Sequence, residues 1–342
     1  GPSASRDAAR HTMTFPTQRY VMDVDARART GRLAGTLGIL ILIVGTLAAC
    51  TGGGTAVSPS AASESPSAAA SESPSASASA SASASASAST GTLQELAIEA
   101  ADYTFGAPSS IAAGPTHIVV NNVGKEDHQA QVAKIADDKT FEDLTAALGA
   151  QDIPAALGML DLVGGPTGVT PGATVSTSAN LEPGQYVFLC FVESPDGVPH
   201  LAKGMIAQLE VTGTASADAL PAGDGELALQ DFAFVGSTTL TAGQHTLTVT
   251  NKGPQVHEAT VVKLNEGVTV DQLRQAFTST EAPSGPPPVT GAGGVAGISA
   301  GTTVSMDLDL QPGNYAYVCF VPDTATGKPH AALGMIGELT VQ

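Results

Sequence analysis

LEPGQYVFLCFVESPDGVPHLAKGM, residues 181–205, returns as LQPGNYAYVCFVPDTATGKPHAALGM at residues 310–335. A second pair lies upstream of it: NNVGKEDHQAQVAKI at 121–135 and TNKGPQVHEATVVKL at 250–264. Gly124 and Gly253, His128 and His257, Tyr186 and Tyr315, and Cys190 and Cys319 are each 129 positions apart. His200 and His330, and Met205 and Met335, are 130 apart, so the second copy has one extra residue between its Cys and its His. A period this long is a repeated domain, and it divides the C-terminal 250 residues into two halves of one kind.

Each half reads as short strands. HTLTVTN (245–251) and TVSMDLDL (303–310) alternate with period two, and Pro-Gly or Gly-rich turns separate the runs. One helix interrupts each copy. Thr140–Leu148 places Phe141, Leu144, Ala147 and Leu148 on one face; Thr269–Phe277 does the same with Val270, Leu273 and Phe277, with Thr269 as N-cap. The Gly-rich runs GGPTGVTPG (164–172) and GAGGVAGISAG (291–301) read as loops. Leu-x-Pro-Gly-x-Tyr occurs at 181–186 and 310–315. It resembles the tyrosine corner of Greek-key sandwiches, which implies that each Tyr hydroxyl bonds back to the backbone. The expected fold is all-β, with two tandem Greek-key β-sandwich domains, each with a short helical insertion. The expected boundaries are 93–212 for the first domain, 213–224 for a linker and 225–342 for the second.

Upstream, the composition changes. Residues 1–32 carry six Arg, and Leu33–Ala49 is a 17-residue run without charge. A basic segment before a short apolar one is an export signal. The run sits at the lower limit for a membrane span, so an uncleaved anchor is the competing reading. Leu47-Ala48-Ala49-Cys50 resembles the lipobox of bacterial lipoproteins, which implies cleavage before Cys50 and lipidation of its thiol. From there to residue 92 the chain is mainly Ser and Ala, with some Gly, Thr, Pro and Glu and almost nothing to bury. As a flexible tether of about 40 residues it reaches roughly 35 Å. The chain is therefore expected on the extracytoplasmic face of the cell membrane. Its net charge is −18; the leader holds a surplus of three positive charges, so the part from residue 50 stands at −21. Such a surface excludes the counterion-releasing grip on nucleic acid. It reads as a solvated acidic surface, with a preference for cationic partners.

Two cysteines remain after Cys50, and each sits in a repeated series: His128, Cys190, His200, Met205, then His257, Cys319, His330, Met335. Two imidazoles, a thiolate and a thioether form a soft, mixed donor set. Copper suits it best, with the thioether as a weak axial ligand; zinc would use Cys and His and gain little from Met. Tyr186, Phe188 and Cys190 share one strand face, as do Tyr315, Tyr317 and Cys319, so the thiol lies among inward-pointing aromatics. The competing readings are a Cys190–Cys319 disulfide, ordinary core or surface histidines, and core-filling methionines. His117 and His245 fall outside the series and read as strand-edge residues; His11 belongs to the leader.

Both copies resemble cupredoxins, the blue copper domains of the plastocyanin and azurin kind. Asn122-Val-Gly124-x-x-x-His128 and Asn251-Lys-Gly253-x-x-x-His257 resemble the segment carrying the first His ligand. Pro199-His200-x-x-x-x-Met205 and Pro329-His330-x-x-x-x-Met335 resemble the last ligand segment. The resemblance implies one copper per half and a one-electron carrier with an unidentified redox partner protein. It also has a departure: nine and ten residues separate Cys from His, longer than in small blue copper proteins. Multicopper oxidases and nitrite reductases share such domains, but they need further His ligands, and this sequence has no His-x-His. The expected protein is therefore not an enzyme. Copper storage, delivery or tolerance, and a metal-free surface module, are the alternative functions.

Overall fold

The computed structural model describes residues 93–342 apart from Ala217 and 280–287. The export leader, Cys50 and the tether lie outside the described residues. In the first half the strands are β1 (Gln94–Ala101), β2 (Thr104–Gly106), β3 (Ser110–Ala112), β4 (Gly114–Asn122) and β5 (Gln131–Ile135). Helices α1 (Phe141–Gly149) and α2 (Ile153–Leu157) follow, then β6 (Leu160–Leu162), β7 (Thr174–Leu181), β8 (Gly184–Leu189) and β9 (Ile206–Thr212). The second half begins with β10 (Gly225–Gln230), β11 (Ala233–Gly236), β12 (Thr239–Leu240), β13 (Gly243–Asn251) and β14 (His257–Leu264). It continues with α3 (Val270–Thr278), β15 (Val289–Ile298), β16 (Thr303–Leu310), β17 (Gly313–Val318) and β18 (Ile336–Val341).

Alternation decides which side chains meet. In β1 and β4, Leu96, Ile98, Ala100, Ile118 and Val120 point inward and are buried. They face Tyr186, Phe188 and Leu209 from the opposing sheet in one core. The order β2-β1-β4-β7 forms one sheet of the first half and β3-β9-β8-β5-β6 the other; β11-β10-β13-β16 and β12-β18-β17-β14-β15 repeat this in the second. Parallel β1/β4 beside antiparallel β4/β7 gives the crossing connections of a Greek key. Each half is thus a β-sandwich.

β8 is buried on both sides, and its two faces go to different places. Tyr186 and Phe188 enter the inter-sheet core, whereas Val187 and Leu189 pack under α1 and α2 with Ala133, Ile135 and Leu144. The helical insertion is therefore a cover for the outer face of the second sheet. Thr140 caps α1 in a capping box with Asp143, and Thr269 does the same for α3 with Gln272. Burial of Leu144 is worth about 1.5–3 kcal/mol. The first half carries a second helix, α2, capped by Asp152, where one helix per copy was expected.

The Gly-rich run 291–301 is not a loop. Most of it belongs to β15, which pairs with β14 through two register shifts. Gly294 has φ 136°, and a Cβ there would collide with the Ala259 carbonyl, so the strand approaches its neighbour only as glycine. The tyrosine corners form as expected: Tyr186 Oη donates to Glu182 O at 3.0 Å and Tyr315 Oη to Gln311 O at 2.8 Å.

The halves join through β7 and β16, which pair antiparallel with Met306 opposite Thr177. These two residues are 129 apart, so equivalent positions meet and the junction has a local two-fold relation. An eight-stranded sheet runs through both halves. His117 and His245 lie in strands paired on both sides, which corrects the strand-edge expectation. Each has a carboxylate partner: His117 Nε2 is 3.3 Å from Asp307 of the other half, and His245 Nδ1 is 2.6 Å from Asp224.

Candidate metal centres

Asn122 is buried at the end of β4. Its Nδ2 donates to the carbonyls of Glu126 and Val169, and its Oδ1 accepts from Gly124 N–H at 2.9 Å. That bracket fixes the loop that delivers His128. Asn251 does the same for His257 through Gln255, Ile298 and Gly253. The glycine is a packing requirement: a Cβ on Gly124 would stand 2.8 Å from His128 Nε2, and one on Gly253 2.7 Å from His257 Nε2.

The long Cys-to-His loops do return. Glu193 bridges to Pro199, and Pro322 to Pro329. A one-turn 3-10 helix then starts at His200 or His330 and ends on a glycine at φ 98° or 107°. Its geometry closes the site on itself: His200 N–H donates to Val192 O, Leu201 N–H to Cys190 O, and Met205 N–H to His200 O. The second half repeats these bonds with His330, Ala331 and Met335.

The result is two matching donor triangles. His128 Nδ1 is 3.0 Å from His200 Nδ1, and Cys190 Sγ is 3.9 and 3.4 Å from them. In the second half the separations are 3.0, 4.0 and 3.4 Å for His257, His330 and Cys319. Bonds of about 2.0 Å to nitrogen and about 2.3 Å to sulfur place two donors of one cation about 3–4 Å apart, so each triangle fits a single ion. All six side chains are fully buried. Met205 and Met335 are also fully buried, and their carbonyls accept from Cys190 N–H and Cys319 N–H at 3.3 Å. Both thiols are free, each against its own two histidines, which removes the Cys190–Cys319 disulfide.

Electrostatics prepares these donors. Burial, together with repulsion from His200, lowers His128 to about 4 against the pull of Asp102. Burial and His257 lower His330 likewise to about 4, and burial lowers His257. Neutral imidazoles are the ligating form. Burial pushes the Cys190 thiol up to about 12 and raises Cys319 as well, so a bound cation must displace a proton from each.

The outer nitrogens carry the residues that sequence reasoning missed. Asp231 Oδ1 stands 2.6 Å from His257 Nε2, and Asp102 Oδ1 3.5 Å from His128 Nε2. Glu126 Oε2 stands 2.9 Å from His200 Nε2. A carboxylate on Nε2 keeps the proton there and turns the Nδ1 lone pair toward the cation, as in carboxylate–histidine–metal triads. Asp102 and Asp231 share the 129-residue offset, so the repeat itself would have found them. Glu126 does not: its counterpart is Gln255. A second exchange is reciprocal, with Gln129 in the first half and buried Glu258, raised by burial to about 7, in the second.

This is the sandwich and the donor set that the cupredoxin resemblance implies. Among solved structures, the dithionite-reduced auracyanin of the photosynthetic bacterium Roseiflexus castenholzii is similar at 22% identity and TM-score 0.25, over 34% of this chain and 94% of its own. Auracyanin A of Chloroflexus aurantiacus, a blue copper protein, is similar at 19% identity and TM-score 0.24, over 35% and 100%. The copper nitrite reductase of Nitrosomonas europaea is similar at 16% identity and TM-score 0.22, over 73% and 94%. No protein-family model and no curated protein matches the chain.

Proposed function

We propose that the chain is a tandem cupredoxin-like protein that holds one copper in each half and carries single electrons. It is held at the extracytoplasmic face of the membrane through Cys50. The observation that carries this is the matched pair of buried His–Cys–His triangles. His128, Cys190 and His200 would hold one ion and His257, Cys319 and His330 the other, with Met205 and Met335 as weak axial donors. Copper would supply the one-electron chemistry. The residues supply a dry, nearly fixed cage: strand ends and loops pinned by Asn122 and Asn251 leave the donors little room to move between oxidation states. Full burial of every donor supports retained metal over rapid delivery or storage.

Among the described residues two further histidines remain, His117 and His245, and both are engaged with Asp307 and Asp224. This supports a carrier over an oxidase. Loading the protein with Cu(II) is expected to give two equivalents bound, an intense thiolate-to-copper visible band and a reversible couple. A colourless protein that releases copper on desalting overturns the reading. Cys50→Ser is expected to move the chain from the membrane to the soluble fraction.

A further inference from the structure

The repeat keeps the identity of the four donors, the bracketing Asn, the Gly and the first-histidine Asp. Three differences surround the cages: the first-histidine carboxylate is nearer in the second half, at 2.6 against 3.5 Å; buried Glu258, whose N–H lies 3.5 Å from Cys319 Sγ, replaces Gln129; and the outer nitrogen of the second histidine, Nε2, changes partner altogether. In the first half Glu126 Oε2 lies 2.9 Å from His200 Nε2, and Glu126 Oε1 accepts from Tyr103 Oη at 2.9 Å. The Tyr103 hydroxyl in turn receives Ser194 Oγ and Lys203 Nζ, each at 3.3 Å, and Lys203 is held by Asp196 at 2.8 Å. In the second half the equivalents are Gln255, Phe232, Asp323 and Leu333. Gln255 is turned away, donating to Asp231 and Asp323 and accepting from Thr324 N–H. His330 Nε2 is buried with no hydrogen-bond partner, and the edge-on ring of Phe232 lies 4.9 Å from the imidazole.

We propose that Glu126 is a positioning residue that sets the two sites at different potentials, the first lower than the second. This rests on the copper reading above. A carboxylate on the outer nitrogen makes His200 the stronger donor and places negative charge near the ion, and both effects favour the higher oxidation state. His330 has neither. With copper in both cages, one electron from an added one-electron reductant would settle on the second site. An electron placed first on the first site would pass on, oxidising that copper from Cu(I) to Cu(II) as the second is reduced from Cu(II) to Cu(I).

The test uses the two-copper protein, reduced stepwise while the visible band and the Cu(II) electron spin resonance are followed. Cys190→Ser and Cys319→Ser proteins assign each step to a site. Two separate one-electron steps are expected, the first site being harder to reduce. Glu126→Gln is expected to favour Cu(I) at the first site tenfold or more, a shift of about 59 mV. The second site, unaltered in the same molecule, reports that the fold is intact. Coincident steps, a first site that reduces more easily, or an unmoved potential in Glu126→Gln, with both sites coloured, overturn this inference and leave the copper reading standing. Failure to bind copper overturns both.

Discussion

His200 and His330 occupy equivalent places in equivalent cages, yet the outer nitrogen of one is held by a carboxylate at 2.9 Å and that of the other has no hydrogen-bond partner. The inner geometry repeats to within 0.1 Å: 3.9 against 4.0 Å for the longer Cys–His separation, and 3.0 and 3.4 Å in both halves. What repeats is therefore what a cation needs in order to be bound. What diverges is what adjusts the bound state. The covers diverge too: α2 and a three-residue β6 in the first half stand against a ten-residue, Gly-rich β15 in the second.

The comparison breaks most severely if one thiol is removed. Cys190→Ser and Cys319→Ser are each expected to lose one of two coppers and about half of the visible band, read by metal analysis and absorption. Equal loss of both coppers from either variant would show that the halves do not bind independently. Next comes the first-histidine carboxylate. Asp231→Asn is expected to weaken copper at the second site about 10- to 100-fold in competition titrations. Asp102→Asn should weaken the first site less, because its contact is 3.5 Å rather than 2.6 Å. Asp102 is also committed to the loop, accepting from Lys125 N–H at 2.7 Å and Glu126 N–H at 3.2 Å, so its loss should lower the melting temperature of the copper-free protein.

Tyr103→Phe makes the first site more like the second while keeping Glu126. It is expected to shift the first potential in the direction of Glu126→Gln but by less, since the carboxylate loses one donor and keeps its charge. The smallest effect is expected far from both cages. Burial opposes protonation of His245, but the Asp224 carboxylate and the Thr241 carbonyl outweigh it and hold it above the ordinary 6.5. A group raised on folding stabilises fully below its unfolded value and ceases to do so as pH rises through its folded value. The melting temperature of the wild type should therefore exceed that of Asp224→Asn most at about pH 5.5, and the gap should narrow toward pH 9.

Much of this was legible in the sequence because repetition does what a single copy cannot. One His or Cys is ambiguous; the same order kept twice at offsets of 129 and 130 is not, and the six His and Cys of that series are the ones that converge in the two triangles. The strand alternation of Tyr186, Phe188 and Cys190 placed the thiol correctly, since period two needs no tertiary information. The helix cap at Thr269 was local and readable. Three things were not. Gly-rich 291–301 looked like a loop because its glycines serve a close strand approach that only the partner strand reveals. His117 looked unremarkable because its partner, Asp307, is 190 residues away. Glu126 was hidden by the method that found the rest: it differs between the copies, and searching for sameness passes over it.

The pairing of β7 with β16 settles one further matter, which is what becomes of the strand edges. A sandwich cut at residue 213 would leave β7 with an open edge where Thr177 and Ser178 now pair with Met306 and Ser305 of β16. Such an edge recruits another strand. Because Thr177 faces its own counterpart across the junction, the strand best matched to that edge is another β7, so a lone half would be prone to self-association. Carrying both halves on one chain confines that stickiness to a single intramolecular seam.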